Sequence, residues 1–260
     1  MNTKSIITKI CARTAKLLRL MVVLTAATVA VGCAGNDEIT TISDDLTEAY
    51  QVAKKAIDGG NYRKGIQIFE VMQAQYPFSD ISRQVQLELM YAYYKSGATE
   101  QAVETCDTFI RENPIHERVD YALYIKGLAY FEDEGGFLER RFNRDVTKRP
   151  PKEVAEAYST FRRLVDRYPA SQYSADAEQR MVFLKNRLAD YENHVADYYL
   201  RRGAYIAALN RAKSALEDYN GATGNAMSLM IMAESYDKLG MADMAADARR
   251  VLELNFPGES

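Results

Sequence analysis

Residues 60–77 read GNYRKGIQIFEVMQAQYP, and residues 97–114 read GATEQAVETCDTFIRENP. Both stretches open on glycine and close on proline, and the second begins 37 residues after the first. The same interval separates Gly203 from Gly240 and Asn220 from Pro257. A period of this length marks stacked supersecondary units. Around Gly97 the apolar residues Leu87, Leu89, Met90 and Tyr93, then Ala102, Val103, Cys106, Phe109 and Ile110, recur mostly at spacings of three and four. That is the period of an amphipathic helix. Each unit is thus expected to hold two helices. A glycine in the left-handed turn ends the first, and a proline, which cannot continue a helix, ends the second.

Extended along the chain, the frame finds five units. Gly60, Tyr62, Gly65, Phe69 and Pro77 mark the first, and Leu89, Tyr93, Gly97, Ala102 and Pro114 the second. Gly127, Tyr130, Ala157, Phe161 and Pro169 mark the third. Ala196, Tyr199, Gly203, Tyr205 and Ala208 mark the fourth, and Ala233, Tyr236, Gly240, Ala245 and Pro257 the fifth. Small residues where two helices touch, with an aromatic interlocking them, resemble the tetratricopeptide repeat (TPR). The resemblance implies an all-α fold over residues 45–258, an α-solenoid of five TPR helix-turn-helix repeats wound as a right-handed superhelix. The third unit is longer: Pro114 to Pro169 spans 55 residues, and the excess falls at 134–151, EGGFLERRFNRDVTKRPP. That stretch reads as a loop inserted between the two helices of one repeat, and long insertions of this kind are usually functional or disordered. Ala175 to Leu200 contains no Gly or Pro and reads as one long helix or two joined ones.

Residues 1–32 differ from all this. Lys4, Lys9, Arg13, Lys16 and Arg19 precede the apolar run Leu20–Val31, and Gly32 and Cys33 follow it. Twelve residues are too few to cross a bilayer, which takes about 20. The segment reads as a cleaved signal peptide. Ala30-Val31-Gly32-Cys33 resembles the lipobox of bacterial lipoproteins, with Ala30 where the family prefers Leu. The resemblance implies lipidation of Cys33, and Ala34 after it implies the outer membrane. Two or more acyl chains make such an anchor permanent, at about 0.8 kcal/mol per buried methylene. Residues 33–44 then form the lipidated N-terminus and a flexible polar tether.

The 260 residues include 33 Lys and Arg against 36 Asp and Glu, a net charge of −3. Loss of 1–32 removes five basic residues and no acidic one, leaving −8. Such an acidic chain is not expected to bind nucleic acid. With Cys11 discarded and Cys33 acylated, Cys106 is alone, so no internal disulfide can form. Catalytic motifs fail on inspection. Gly60 to Gly65 has P-loop glycine spacing, but Ile66 stands where the phosphate-binding Lys is required. His116-Glu117 begins like a zinc-protease motif, but Asp120 replaces the second His, and His194 lies far off. No G-x-S-x-G is present. The chain is read as non-enzymatic, with no catalytic residue, metal or cofactor. A lipid-anchored enzyme using Glu139 and Asp145 of the insertion is the rival from another class.

Two binding surfaces suggest themselves. Tyr91-Ala92-Tyr93-Tyr94 sets rings on more than one side of a helix, so not all can face inward. Arg201, Arg202, Arg211 and Lys213 form a basic set suited to an acidic partner, and Arg211 can make a planar bidentate contact. Longer stretches carry a closer resemblance: QVQLELMYAYYK at 84–95, Tyr168-Pro169-Ala170-Ser171-Gln172-Tyr173, and RMVFLKNRLA at 180–189, continuing to Tyr198-Tyr199 and Arg202-Gly203-Ala204. They resemble the BamD family of lipoproteins in the outer-membrane β-barrel assembly machine, over nearly the whole mature chain. The resemblance implies a periplasm-facing scaffold whose C-terminal repeats dock the barrel insertase BamA and accessory lipoproteins of the same complex. Arg202, Asn210 and Arg211 fall on that side. It also implies that the N-terminal repeats receive unfolded outer-membrane β-barrel proteins, with Tyr62, Phe78, Tyr91 and Tyr94 near the groove. A periplasmic TPR lipoprotein coordinating cell-wall synthesis is the rival on the same fold.

Overall fold

The computed structural model describes residues 46–77, 79–133 and 151–258, all within the unit Ser43–Ser260. The expected signal peptide, Cys33, the tether, Phe78 and residues 134–150 of the insertion lie outside the described residues.

Turns come first, because they set everything else. Gly97 has φ 76°, which an L side chain adopts only at a cost. Its N–H meets Tyr94 O, and Ala98 N–H reaches back to Tyr93 O at 2.9 Å, closing the helix in a Schellman motif. Gly60, Gly203 and Gly240 repeat this geometry at φ 79°, 76° and 75°. The glycines at 37-residue spacing are therefore the joints the sequence implies.

Among the described residues these joints connect ten helices and no strand. They are α1 (Leu46–Asp58), α2 (Tyr62–Gln75), α3 (Asp80–Ser96), α4 (Thr99–Glu112), α5 (Val119–Asp133), α6 (Lys152–Arg167), α7 (Ser174–Arg201), α8 (Tyr205–Asp218), α9 (Asn225–Lys238) and α10 (Ala242–Asn255). Paired in order, they make five helix-turn-helix hairpins, a TPR solenoid. The second helices α2, α4, α6 and α10 stop two residues before Pro77, Pro114, Pro169 and Pro257. The residue between has φ of −131°, −129°, −132° and −133°, the extended value a following proline imposes. α8 ends the same way with Asn220 in the proline place. α7 is a single helix of 28 residues. α5 ends and α6 begins around the interval of the expected insertion.

Each helix packs on the one before it and the one after it, and α1, α3 and α5 also touch in succession, as do α7 and α9. Small residues permit this approach. A Cβ on Gly65 would stand 2.4 Å from Ile57 Cγ1, and one on Gly127 would stand 2.4 Å from Phe161 Cε1. Phe69, Phe109 and Phe161 are fully buried between the helices. The core is continuous from α3 to α7, whereas the two C-terminal hairpins close over alanines: Ala196, Ala208 and Ala212 with Ile231, then Ala226 with Leu229 and Leu252.

Candidate interaction surfaces

The first helices of repeats one to three flank a groove of ≈ 540 Å³. α1 contributes Lys54 and Asp58, α3 contributes Leu87, Glu88 and Tyr91, and the α4–α5 turn with α5 adds Arg118 and Tyr121. α3 runs between neighbours and is buried continuously from Val85 to Met90, so its polar residues need partners. Gln86 donates to Glu112 Oε2 at 3.2 Å. Glu88 accepts from Tyr50 Oη at 3.0 Å, Lys54 Nζ at 3.0 Å and Gln84 Nε2 at 3.3 Å. Burial disfavours the Lys54 charge, but Glu88 and Asp58 outweigh that and hold its pKa above the usual lysine value. Glu88 is thus spoken for, while the Arg118 guanidinium lies 4.8 Å from the Tyr121 ring centre with no carboxylate partner among the described residues. Burial, reinforced by the charge of Glu88, raises the pKa of Tyr121. The groove therefore offers the faces of Tyr91 and Tyr121, the Arg118 cation held against the Tyr121 ring, and the exposed Glu117 beside the saturated Glu88.

Of the described residues expected on the substrate side, Tyr91 alone lines this groove. Tyr94, from the same helix, packs like Tyr91 against the central core but does not line the groove. Tyr62 opens α2, a second helix, and is half-buried there. Tyr93 points elsewhere again, donating to Glu70 Oε1 at 2.6 Å. Beyond Tyr121 a run of rings continues from α5 to α7. Tyr124 stacks on Tyr173 at 4.7 Å, Phe131 meets Phe183 edge-on at 5.9 Å, and Arg180 lies 4.9 Å from the Phe131 ring. Asp176 accepts from Tyr124 Oη at 2.8 Å and from Arg180 Nε at 2.6 Å. Burial works against its charge, yet these two hydrogen bonds prevail and its pKa lies below the usual carboxylate value.

The basic set sits on the α7–α8 hairpin. Arg202 follows α7, with its guanidinium 4.8 Å from the Tyr198 ring centre. Asn210 is exposed on α8 along the stripe that holds Ile206 and Lys213. Arg211 turns about 100° away and pairs with Glu192 Oε2 of α7 at 3.1 Å, which raises its pKa. Arg201 pairs with Asp197 and Lys213 with Glu217. Three of the four cations are thus balanced, and Arg202 is held by an aromatic face. The histidines are separate: His116 packs edge-on to Phe109 and accepts from Arg118 N–H at 3.1 Å, and His194 is half-buried on α7. Cys106 is fully buried, and burial pushes its thiol pKa far up.

Sequence reasoning missed Lys54, Glu88 and Arg118. The signal was available for two of them. Glu88 stands 37 residues after Gln51, one helical turn before Lys54. The repeat register thus sets Lys54 and Glu88 on facing sides of neighbouring first helices.

A stack of helical hairpins with a polar groove along its first helices defines a TPR-type binding scaffold. The YfiO family, outer membrane lipoprotein, matches residues 43–252, and the chain belongs to that family. The outer membrane protein assembly factor BamD of Neisseria gonorrhoeae is 40% identical over 226 residues, covering 87% of this chain and 85% of that protein. The factor of the same name from Vibrio cholerae is 37% identical over 232 residues, covering 89% and 96%. Among solved structures, the crystal structure of MamA protein aligns at 15% identity with a TM-score of 0.39, over 80% of this chain and 90% of that one.

Proposed function

We propose that this lipoprotein is a non-enzymatic scaffold of outer-membrane β-barrel assembly. The observation that carries the reading is similarity along nearly the full length to proteins named assembly factors for outer membrane proteins. Cys33 becomes the acylated N-terminus once residues 1–32 are removed, and residues 33–44 tether the solenoid to the membrane. The C-terminal repeats engage a BamA-type insertase and accessory lipoproteins, with Arg202, Asn210 and Arg211 on the contact. The N-terminal groove takes an extended segment of an unfolded barrel protein, with Tyr91 and Tyr121 as aromatic walls and Arg118 as its cation. Tyr62 and Tyr94 belong to this end of the stack without lining the groove, and Phe78 is assigned to the same substrate-receiving end.

The reading is tested by mass spectrometry of what co-purifies with the tagged full-length chain from mild-detergent membranes. A near-stoichiometric barrel protein with periplasmic repeats is expected. Arg211→Asp lowers insertase recovery about ten-fold or more; because its partner Glu192 is only 16% exposed, helix content and the thermal midpoint serve as the folding control. Peptidoglycan synthases in place of the insertase, or full insertase recovery with Arg211→Asp, count against it.

A further inference from the structure

The last first-helix of a repeat stack presents the face on which a following repeat would pack. Met227 and Met230 of α9 stand 37 residues after Asp190 and Asn193 of α7. On α7 those positions receive the next repeat. Asn193 Nδ2 donates to Gly224 O at 2.7 Å, Asn193 Oδ1 accepts from Ser228 Oγ at 2.7 Å, and Asp190 lies against Gly224. On α9 the same positions carry methionines that are 42% and 40% exposed, and no further first helix follows among the described residues. The seat has changed character. An amide and a carboxylate suit the polar start of a helix, whereas two flexible thioethers suit apolar side chains of varied shape.

Charge narrows the occupant. Glu234 lies one turn beyond Met230 on the same face, exposed and without a cation partner among the described residues. Asp243 at the start of α10 is likewise exposed and unpaired there. The arginines of this hairpin are already engaged, Arg249 with Asp237 and Arg250 with Asp247. The end of the stack is an apolar patch edged by the acids Glu234 and Asp243, with Lys238 one turn past Glu234 as its one exposed cation without an ion pair among the described residues.

We propose that one amphipathic helix of another polypeptide docks on Met227 and Met230, apolar toward the methionines and carrying Lys or Arg beside Glu234. It takes the place of a sixth repeat's first helix. This rests on the assembly role above and deepens it, adding to the C-terminal repeats a contact in which Arg202, Asn210 and Arg211 take no part.

The test places the photo-crosslinking residue p-benzoylphenylalanine at position 230 of the full-length protein in intact membranes, and maps the crosslinked peptide by mass spectrometry. The expected product is a segment of another protein with apolar residues at helical spacing and flanking Lys or Arg. Its yield falls about ten-fold when Met227→Glu and Glu234→Lys are added. Both positions are exposed, so helix content and the thermal midpoint serve as the folding control. Absence of a product overturns the proposal. So does a crosslink to a second copy of this chain or to a segment without helical periodicity, or a yield indifferent to the two substitutions. Insertase recovery is scored in the same preparation. Loss of the insertase with the crosslink intact fails the assembly reading alone, and the reverse outcome fails this inference alone.

Discussion

Gly127 shows how much a single hydrogen can decide. Its backbone is ordinary helix, so conformational freedom does not explain it. The explanation is Phe161, whose ring occupies the space a methyl group would need, from a position buried on all sides. Gly127→Ala must displace that ring, and overpacking of this kind costs about 1–3 kcal/mol. Urea unfolding monitored by circular dichroism checks it, and an unchanged midpoint would contradict the packing account. Asp176 makes a different residue-scale prediction. Its folded pKa lies below the ordinary 3.8. Its contribution is therefore fully present above that value and lost as pH falls through the folded value. The group is half-exposed, so the contribution is about 0.2–1 kcal/mol. Asp176→Asn should lower the thermal midpoint at pH 7 and bring it level with the unsubstituted protein well below pH 4. A constant gap across that range would show that the charge does not matter.

Among elements, α7 does two jobs at once. Its first half continues the aromatic run begun by α5, and its second half seats α9 through Asn193. The seat matters because the C-terminal cores are thin. Burying a Phe contributes about 1.5–3 kcal/mol, while an alanine methyl adds only about one methylene's worth, 0.8 kcal/mol. Polar ties then carry a larger share. Asn193→Ala removes the two 2.7 Å bonds to Gly224 O and Ser228 Oγ and leaves these groups only their longer bonds within α9, at a cost of about 0.5–1.5 kcal/mol per bond lost. Hydrogen exchange should quicken in α9 and α10 and stay unchanged in α3 to α6; uniform quickening would mean the repeats melt as one. The Gly-to-Pro frame made these elements legible in advance, because glycine joints and proline stops are local chemistry. The long α7 was equally visible, as a stretch without breakers. The groove was legible only in part. The frame identifies which residues share a helix, but not which side of that helix a given ring leaves by. Hence the sequence groups Tyr62 and Tyr94 with Tyr91, although Tyr62 belongs to a second helix and Tyr91 is the one of the three that lines the groove. Lys54, Glu88 and Arg118 escaped because their meeting is a relation between repeats, not within one.

For the molecule as a whole, the groove and the C-terminal hairpins lie on different repeats, so their roles can be separated by substitution. Tyr91→Ala removes a groove wall that is only half-buried and leaves the α7–α8 charges untouched. It should weaken binding of a peptide ending in an aromatic residue by about ten-fold, with insertase recovery unchanged. Fluorescence anisotropy with the labelled peptide measures the first effect, and wild-type affinity would remove Tyr91 from the groove's function.

The neighbour-to-neighbour packing described for α1 to α10 also bears on how the chain reaches its shape. No helix waits for a distant segment, so contact order is low and loop closure costs little. An exported chain emerges in order, first residue first. Here each hairpin can close as soon as it clears the export channel and serve as the template for the next. Cys106, the free cysteine among the described residues, is sealed in the core, so closing these hairpins calls for no oxidant.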